Sequence, residues 1–288
     1  MVRLEFSTEL AYEVSSPGCD FIFNIHAAYT PRQFVVSESL QLSQDIRTSM
    51  YTDPATQSRF LRLHAEPGLL TVTYAATVEL THFEARADQL PELSPQDLPG
   101  DVLPYLYPSR YCQSDRLLTL AGSQFGHLPL GYSRARAICD WVQQHVSFQG
   151  NTSNSTTSAI DTLIERVGVC RDFAHLMIAL CRAANLPARM ASGMDYGADV
   201  ALGPPDFHAY VEVFLGDRWY IFDPSGTAIP MGFVRFATGR DAADIAFATI
   251  FGGVIASQPV ISMRAVPNSQ GVLVVPQHVD YALSTDGP

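Results

Sequence analysis

The chain has 288 residues, and 47% of them are hydrophobic, which is enough to fill one large core or two ordinary ones. Only 16% are charged, and no apolar run approaches the roughly 18 residues that cross a bilayer, so composition argues against disorder and membrane spanning. The net charge of −11 repels phosphate backbones and anionic lipid surfaces. We therefore expect neither nucleic acid nor a membrane as a partner.

Lysine and cysteine usage narrows the chemistry further. All 18 basic residues are arginine, and the absence of lysine excludes a Schiff base, a lysine general base and a Walker phosphate loop. The five cysteines form an odd set without a Cys-x-x-Cys pair, so neither a zinc knuckle nor a disulfide framework is indicated. With no secretory signal visible at the start, a reducing cytoplasm fits best.

The first part of the chain predicts strands. Short alternating runs such as Phe21–Ile25 and Leu69–Tyr74 are separated by Pro-Gly and Asp-Pro pairs, which is typical of antiparallel β structure. We expect a sandwich-like, all-β domain over residues 1–100.

A proline-rich stretch follows this domain. Five prolines between Pro91 and Pro108 are incompatible with a helix interior or a central strand, which makes this stretch the predicted domain boundary. Residues 101–288 are then expected to form a second domain with a C-terminal extension.

Two amphipathic helices are predicted at the start of the second domain. Ser133 can cap a helix that runs to about Val146. Thr157 or Ser158 can cap another, and Gly168 is predicted to stop it in the usual position of a C-terminal glycine.

A third helix, from about Cys170 to Asn185, is apolar on nearly every side and is therefore predicted to lie in the middle of the domain. Strands after helices give an α+β order. The remaining predicted elements are strands at 188–192, 208–215 and 218–222, a helix at 241–249, and strands at 260–266 and 272–275.

Cys170 lies at the first turn of the third predicted helix. Unpaired amides and the helix dipole favour an anion at such a place, which promotes the thiolate, and the same amides can hold an oxyanion. The alternative is that Cys170 is a small buried hydrophobe, as most free cysteines are. Cys181, three turns deeper, is predicted to be structural.

A base for this thiol lies in the segment 207–223, which has the pattern of a β hairpin. A loop at Leu215–Gly216 pairs His208 directly with Asp223, whereas a loop at Gly216–Asp217 makes the two diagonal neighbours. Both registers bring the imidazole and the carboxylate within reach on one face. The alternative is a core histidine and an aspartate that only forms a turn, which does not explain their alignment.

Four segments, taken in order, carry a recognisable pattern. They are Gly168-Val169-Cys170-Arg171-Asp172-Phe173-Ala174-His175, then Leu186-Pro187-Ala188-Arg189 with Gly193, then His208-Ala209-Tyr210-Val211-Glu212, then Trp219-Tyr220-Ile221-Phe222-Asp223-Pro224. They resemble the transglutaminase-like superfamily, papain-like cysteine enzymes with a Cys-His-Asp triad. The resemblance covers residues 131–226, and the N-terminal β region and segments 105–115 and 239–253 are similar to bacterial two-domain members.

The resemblance implies a papain-like α+β core in which Cys170 is the nucleophile, His208 the general base and then acid, and Asp223 the orienting carboxylate. Tyr210 stands where the family often has tryptophan, which bears on the shape of the substrate groove. We therefore predict a cytoplasmic, cofactor-independent acyltransferase or hydrolase that acts through a thioester on a peptide bond or a protein glutamine side chain. The alternative is a non-catalytic scaffold that binds an extended peptide.

Four further residues are weaker candidates for a role in catalysis. His175 lies about 140° around the helix from Cys170 and is expected to make a buried hydrogen bond instead. For Arg171 and Asp172 we expect structural support, and Gln149 can serve as an oxyanion donor. The remaining histidines show no ligand spacing for zinc, so no metal is predicted, and a zinc hydrolase ranks behind both other candidates.

Overall fold

The computed structural model describes residues 1–197 and 206–286. Within these ranges the chain forms a β sandwich and a unit of helices packed on an antiparallel sheet, which confirms the predicted α+β class. No helix of the described ranges is long and apolar enough to cross a membrane.

Strands fill the first 85 residues, as the alternating pattern predicted. They are β1 (Val2–Val14), β2 (Cys19–Phe23), β3 (Gln33–Leu42), β4 (Thr48–Thr52), β5 (Arg59–Ala65), β6 (Gly68–Leu80) and β7 (Phe83–Ala85). One sheet contains β1, β6 and β3, and the other contains β2, β5 and β4. The two sheets bury a shared core that includes Phe6, Phe21 and Tyr74, because alternate residues of each strand point inward.

The proline-rich stretch forms short 3₁₀ turns between Ala87 and Leu106, in agreement with its predicted lack of regular structure. The helical part begins after it. Its elements are α1 (Leu118–Phe125), α2 (Tyr132–His145), β8 (Ser147–Phe148), α3 (Ala159–Glu165), β9 (Val167–Gly168) and α4 (Cys170–Ala183).

Helix α3 ends differently from the prediction that Gly168 stops it. The helix ends at Glu165, and Arg166 takes the left-handed conformation with φ 58°. Gly168 instead pairs with Phe148 in the short parallel β8–β9 ladder. This position requires a glycine, because a Cβ there would lie 2.7 Å from the Cβ of Asp172.

The central sheet carries most of the predicted site. Its strands are β10 (Ala188–Asp195), β11 (Phe207–Leu215), β12 (Arg218–Phe222) and β13 (Phe233–Gly239), in the order β12-β11-β10-β13. Ala209, Val211 and Val213 of β11 share a core with α4, whose all-round apolar surface is buried as predicted. Met194 and Phe236 join the core of the sandwich, so the central sheet also contacts the N-terminal unit.

The C-terminal segment returns to the sandwich. It contains α5 (Ala242–Ile245), β14 (Ala248–Phe251), β15 (Val254–Ala256), β16 (Val260–Ala265) and β17 (Ala282–Ser284). Strand β14 pairs with β2, β15 and β16 pair with β1, and β17 pairs with β7. The predicted division at about residue 100 stays a prediction, and the strands of residues 248–265 cross it.

The predictions for this segment were partly wrong. The strand at 260–266 is present, but the helix predicted over 241–249 covers four residues only. Residues 272–275 form no strand. There the chain closes a turn instead, in which Asn268 N–H donates to the Val272 carbonyl at 2.9 Å and Val272 N–H donates to Asn268 Oδ1 at 3.0 Å.

Candidate active site

The structure brings the three predicted site residues together. Cys170 is the first residue of α4, His208 lies near the start of β11, and Asp223 follows β12 directly. The hairpin turns at Gly216–Asp217, so His208 and Asp223 are diagonal neighbours, the second of the two predicted registers. His208 Nε2 lies 3.2 Å from Asp223 Oδ1, and the Cys170 thiol lies close enough to the imidazole to influence its charge.

The charges of these groups support one another. Burial opposes a charged imidazole, but Asp223 and Cys170 outweigh it and raise the pKa of His208 well above its usual range. Burial likewise opposes ionisation of Asp223, but the His208 charge and its hydrogen bond lower the pKa of that carboxyl. Both shifts favour the charged form of the group, which supports an imidazolium–carboxylate pair beside the Cys170 sulfur. Their side chains are 9% and 5% exposed, which limits screening by water.

A fully buried carboxylate, that of Asp172, fixes the start of α4. Its Oδ2 accepts the Val169 N–H at 2.9 Å, and its Oδ1 accepts the Ser153 hydroxyl at 2.8 Å. These bonds hold the turn that precedes Cys170, whose side chain is partly exposed. The helix N-terminus therefore presents the thiol at a fixed position where negative charge is favoured.

We expect Gly168→Ala to destabilise this turn by about 1–3 kcal/mol, because the added methyl group lies against the Asp172 side chain and the backbone must shift. Chemical denaturation measures the loss. Gly150→Ala is the matched control in the same region, since nothing lies within 4 Å of its Cβ. Equal unfolding free energies for the two variants would show that the turn tolerates a side chain.

Gly193 allows β13 to pair closely with β10 at the level of His208. It lies opposite His208 in the β10–β11 ladder, where the pairing of β10 with β13 shifts register. A Cβ at this position would collide with the Val234 carbonyl oxygen and the Phe233 ring. A glycine is therefore needed for the close pairing of β13 with β10.

Two of the weaker candidates, His175 and Arg171, lie outside the group formed by Cys170, His208 and Asp223. His175 is fully buried, accepts the Ala242 N–H at 3.2 Å and stacks on Tyr111, so the predicted buried hydrogen bond is confirmed. Burial lowers its pKa to about 3, which keeps the ring neutral. Arg171 donates to the Asn154 carbonyl at 2.8 Å and to the Ser153 hydroxyl, which is the expected structural support.

Gln149 lies beside the nucleophile segment. Its backbone N–H donates to the Gly168 carbonyl at 2.9 Å, and its side chain is exposed. Its role as an oxyanion donor stays a prediction.

Sequence reasoning missed the groups that hold Asp223 and His208 from behind. Ser225 donates to Asp223 Oδ1 from its N–H at 3.0 Å and its hydroxyl at 2.6 Å, and Ala228 N–H donates to Oδ2 at 2.8 Å. The Pro-Ser-Gly sequence after the aspartate was a usable signal for this loop. Tyr210 is fully buried, so it packs behind His208 and does not line an open groove.

Comparison with known proteins gives the same picture for the whole chain. Two family models match, the Transglutaminase-like superfamily over residues 120–224 and the Bacterial transglutaminase, N-terminal domain, over residues 2–99. The crystal structure of a candidate cysteine protease from Cytophaga hutchinsonii is 40% identical, with a TM-score of 0.91 and coverage of 98% of this chain and 97% of that chain.

Curated relatives are more distant. An uncharacterized protein of Mycobacterium leprae is 25% identical over 257 residues, which is 85% of this chain and 90% of that protein. An uncharacterized protein of Mycobacterium tuberculosis is 27% identical over 121 residues, 38% of each chain.

Proposed function

The chain belongs to the transglutaminase-like superfamily, and from this premise we propose that it is a thiol-dependent enzyme that transfers or hydrolyses the acyl group of an amide. The observation that carries the proposal is the His208 imidazole, which lies 3.2 Å from Asp223 and interacts with the nearby thiol of Cys170. A nucleophile, a base and an orienting carboxylate in this contact are the arrangement that activates a thiol for attack.

In the proposed reaction, Cys170 Sγ attacks the amide carbonyl carbon and forms a C–S bond while an electron pair moves to the oxygen. The imidazolium of His208 gives its proton to the nitrogen, the electron pair on the oxygen re-forms the carbonyl as the C–N bond breaks, and the amine departs to leave a thioester on Cys170. Water or a second amine, deprotonated by His208, then attacks the thioester, and the C–S bond breaks to restore the thiolate and the imidazolium. Asp223 holds the ring tautomer in both halves.

We propose a peptide bond or a protein glutamine side chain as the substrate. The chain has no lysine, so an amine acceptor of that kind has to come from another molecule, and water is the other acceptor. All five cysteines are free thiols, which fits the proposed reducing cytoplasm.

The test is the rate of iodoacetamide alkylation at each cysteine, followed by peptide mass mapping. At about pH 6.5, roughly two units below the usual pKa of a free thiol, an ordinary cysteine reacts slowly. We expect Cys170 to react fast in the wild type and about 10- to 100-fold more slowly in His208→Ala. We also expect alkylated protein to lose activity in a screen of peptide amides.

Selectivity for Cys170 does not decide the question alone, because the other four cysteines are buried and react slowly for that reason. The decisive comparison is between His208→Ala and His64→Ala, which removes an exposed histidine paired with Asp20 on the sandwich. If both variants alkylate at the wild-type rate, His208 does not activate the thiol. The peptide-binding scaffold then replaces the enzyme as the best description.

A further inference from the structure

A second buried carboxylate, that of Asp195, lies behind the imidazole. Asp195 is the last residue of β10, next to the Met194–Phe207 pair that leads into His208 on β11. Its residue exposure is 1%. An aspartate at this depth costs free energy unless its oxygens are bonded, so its partners show what it does.

One oxygen of Asp195 holds an aromatic ring against His208. Its Oδ1 accepts the hydroxyl hydrogen of Tyr210. The Tyr210 ring lies edge-on to the His208 ring, with centroids 4.7 Å apart and an interplanar angle of 67°, and its other side packs on Phe233 at 4.4 Å. The hydroxyl bond therefore sets the position of the ring that supports the imidazole.

The other oxygen holds the loop that carries Asp223. Asp195 Oδ2 accepts the N–H of Gly197 at 2.8 Å and the N–H of Ile229 at 3.3 Å. Ile229 directly follows Ala228, whose own N–H donates to Asp223. Adjacent amides of one loop thus bind two carboxylates, that of Asp223 and that of Asp195.

We propose that Asp195 is a positioning residue of the active site, which fixes His208 through the Tyr210 ring and Asp223 through the Ile229 amide. The proposal deepens the proposed function and rests on it, because it assigns a role toward the same imidazole. Asp195 acts through its neighbours and does not touch the reacting atoms.

The charges around the imidazole support this assignment. Five groups among the described residues face His208. They are Cys170 on α4, Asp195 on β10, Asp206 just before β11, Tyr210 on β11 and Asp223 just after β12. Burial raises the pKa of Asp195 above its usual value, and the Tyr210 bond, the His208 charge and the two amides limit this rise. Each described contact of this carboxylate is a donor, the pattern of an ionised group. Its negative charge therefore stabilises the imidazolium form.

The experiment follows the titration of His208 by nuclear magnetic resonance in protein with isotope-labelled histidine, assigned through His208→Ala. We expect the wild-type transition well above about pH 6.5, the usual histidine value. Asp195→Asn, which keeps the shape and removes the charge, should move the transition to lower pH. Tyr210→Phe should move it in the same direction by a smaller amount. The control Tyr220→Phe changes a buried tyrosine on β12 that packs toward the helices, and it should leave the transition in place.

The outcomes separate the two proposals. An ordinary wild-type transition, together with Cys170 alkylation that does not depend on His208, overturns the proposed function itself. A raised wild-type transition that neither Asp195→Asn nor Tyr210→Phe moves overturns only the positioning role. A lower melting temperature with an unmoved transition likewise makes Asp195 a purely structural residue. If Asp195→Asn does not fold, Tyr210→Phe decides, since it removes a single oxygen atom.

Discussion

Asp223→Asn is expected to lose about 10³- to 10⁴-fold of the amide-cleaving rate while the protein stays folded. Every contact that the structure describes for this carboxylate comes from a donor: the His208 ring, the Ser225 N–H and hydroxyl, and the Ala228 N–H. An asparagine has to turn its NH₂ group toward one of these donors. The imidazole then loses either its orientation or its preferred tautomer, and the imidazolium loses the charge that stabilises it.

The rate is measured with the peptide amide that the wild type cleaves best in the screen. Asp217→Asn is the matched control, because Asp217 lies in the turn of the same hairpin, is exposed and pairs only locally with Arg218. It should keep the wild-type rate. A rate in Asp223→Asn within tenfold of the wild type would show that the carboxylate is not needed for catalysis.

Glu212→Gln is expected to lower the free energy of unfolding by about 3–5 kcal/mol. Glu212 is fully buried on β11, where one oxygen lies 2.7 Å from Arg189 Nε and the other accepts from Arg235. Both arginines are also buried, and both contact Asp286. Removing the Glu212 charge leaves the two buried guanidinium groups with too little negative charge to balance their own. The imbalance is costly because the buried surroundings screen charges poorly.

Denaturant unfolding measures this loss. Glu5→Gln provides the control, since Glu5 pairs with Arg264 on the surface of the sandwich, and exposed pairs contribute roughly 0–1 kcal/mol. A loss below about 1 kcal/mol in Glu212→Gln would show that the buried cluster relaxes without its central acid.

The sequence predicted that Cys170, His208 and Asp223 lie together because the placement of each rests on local geometry. A helix start places Cys170, and the hairpin has two possible registers, both of which align His208 with Asp223. Asp195 carries no such signal, because its partners Tyr210 and Ile229 come from strands and loops that only the fold brings near. An isolated aspartate at the end of a strand looks like any turn residue.

The C-terminal segment was predicted less well because tertiary contacts override its local preferences. After α5, the Phe247 carbonyl accepts the Asn24 N–H at 2.9 Å, and Ala248 begins the ladder with β2. These bonds replace further turns of helix. Near Val272, the backbone N–H and carbonyl of that residue are bonded to Asn268 in a turn, so they do not join a strand ladder. The hydrophobic pattern alone shows neither the ladder that begins at Ala248 nor the turn closed by Asn268.

The return of β14, β15 and β16 to the sandwich also affects when its sheets can be completed during synthesis. Strands β1 and β2 leave the ribosome before β14, β15 and β16, which follow after more than 200 residues, or roughly ten to fifty seconds of synthesis. During that time one edge of β1 and one edge of β2 have no partner, and open edges invite pairing with other chains. Completion of the two sandwich sheets therefore waits until residue 265 has been made, and a nascent chain stopped before residue 248 carries two unprotected sheet edges.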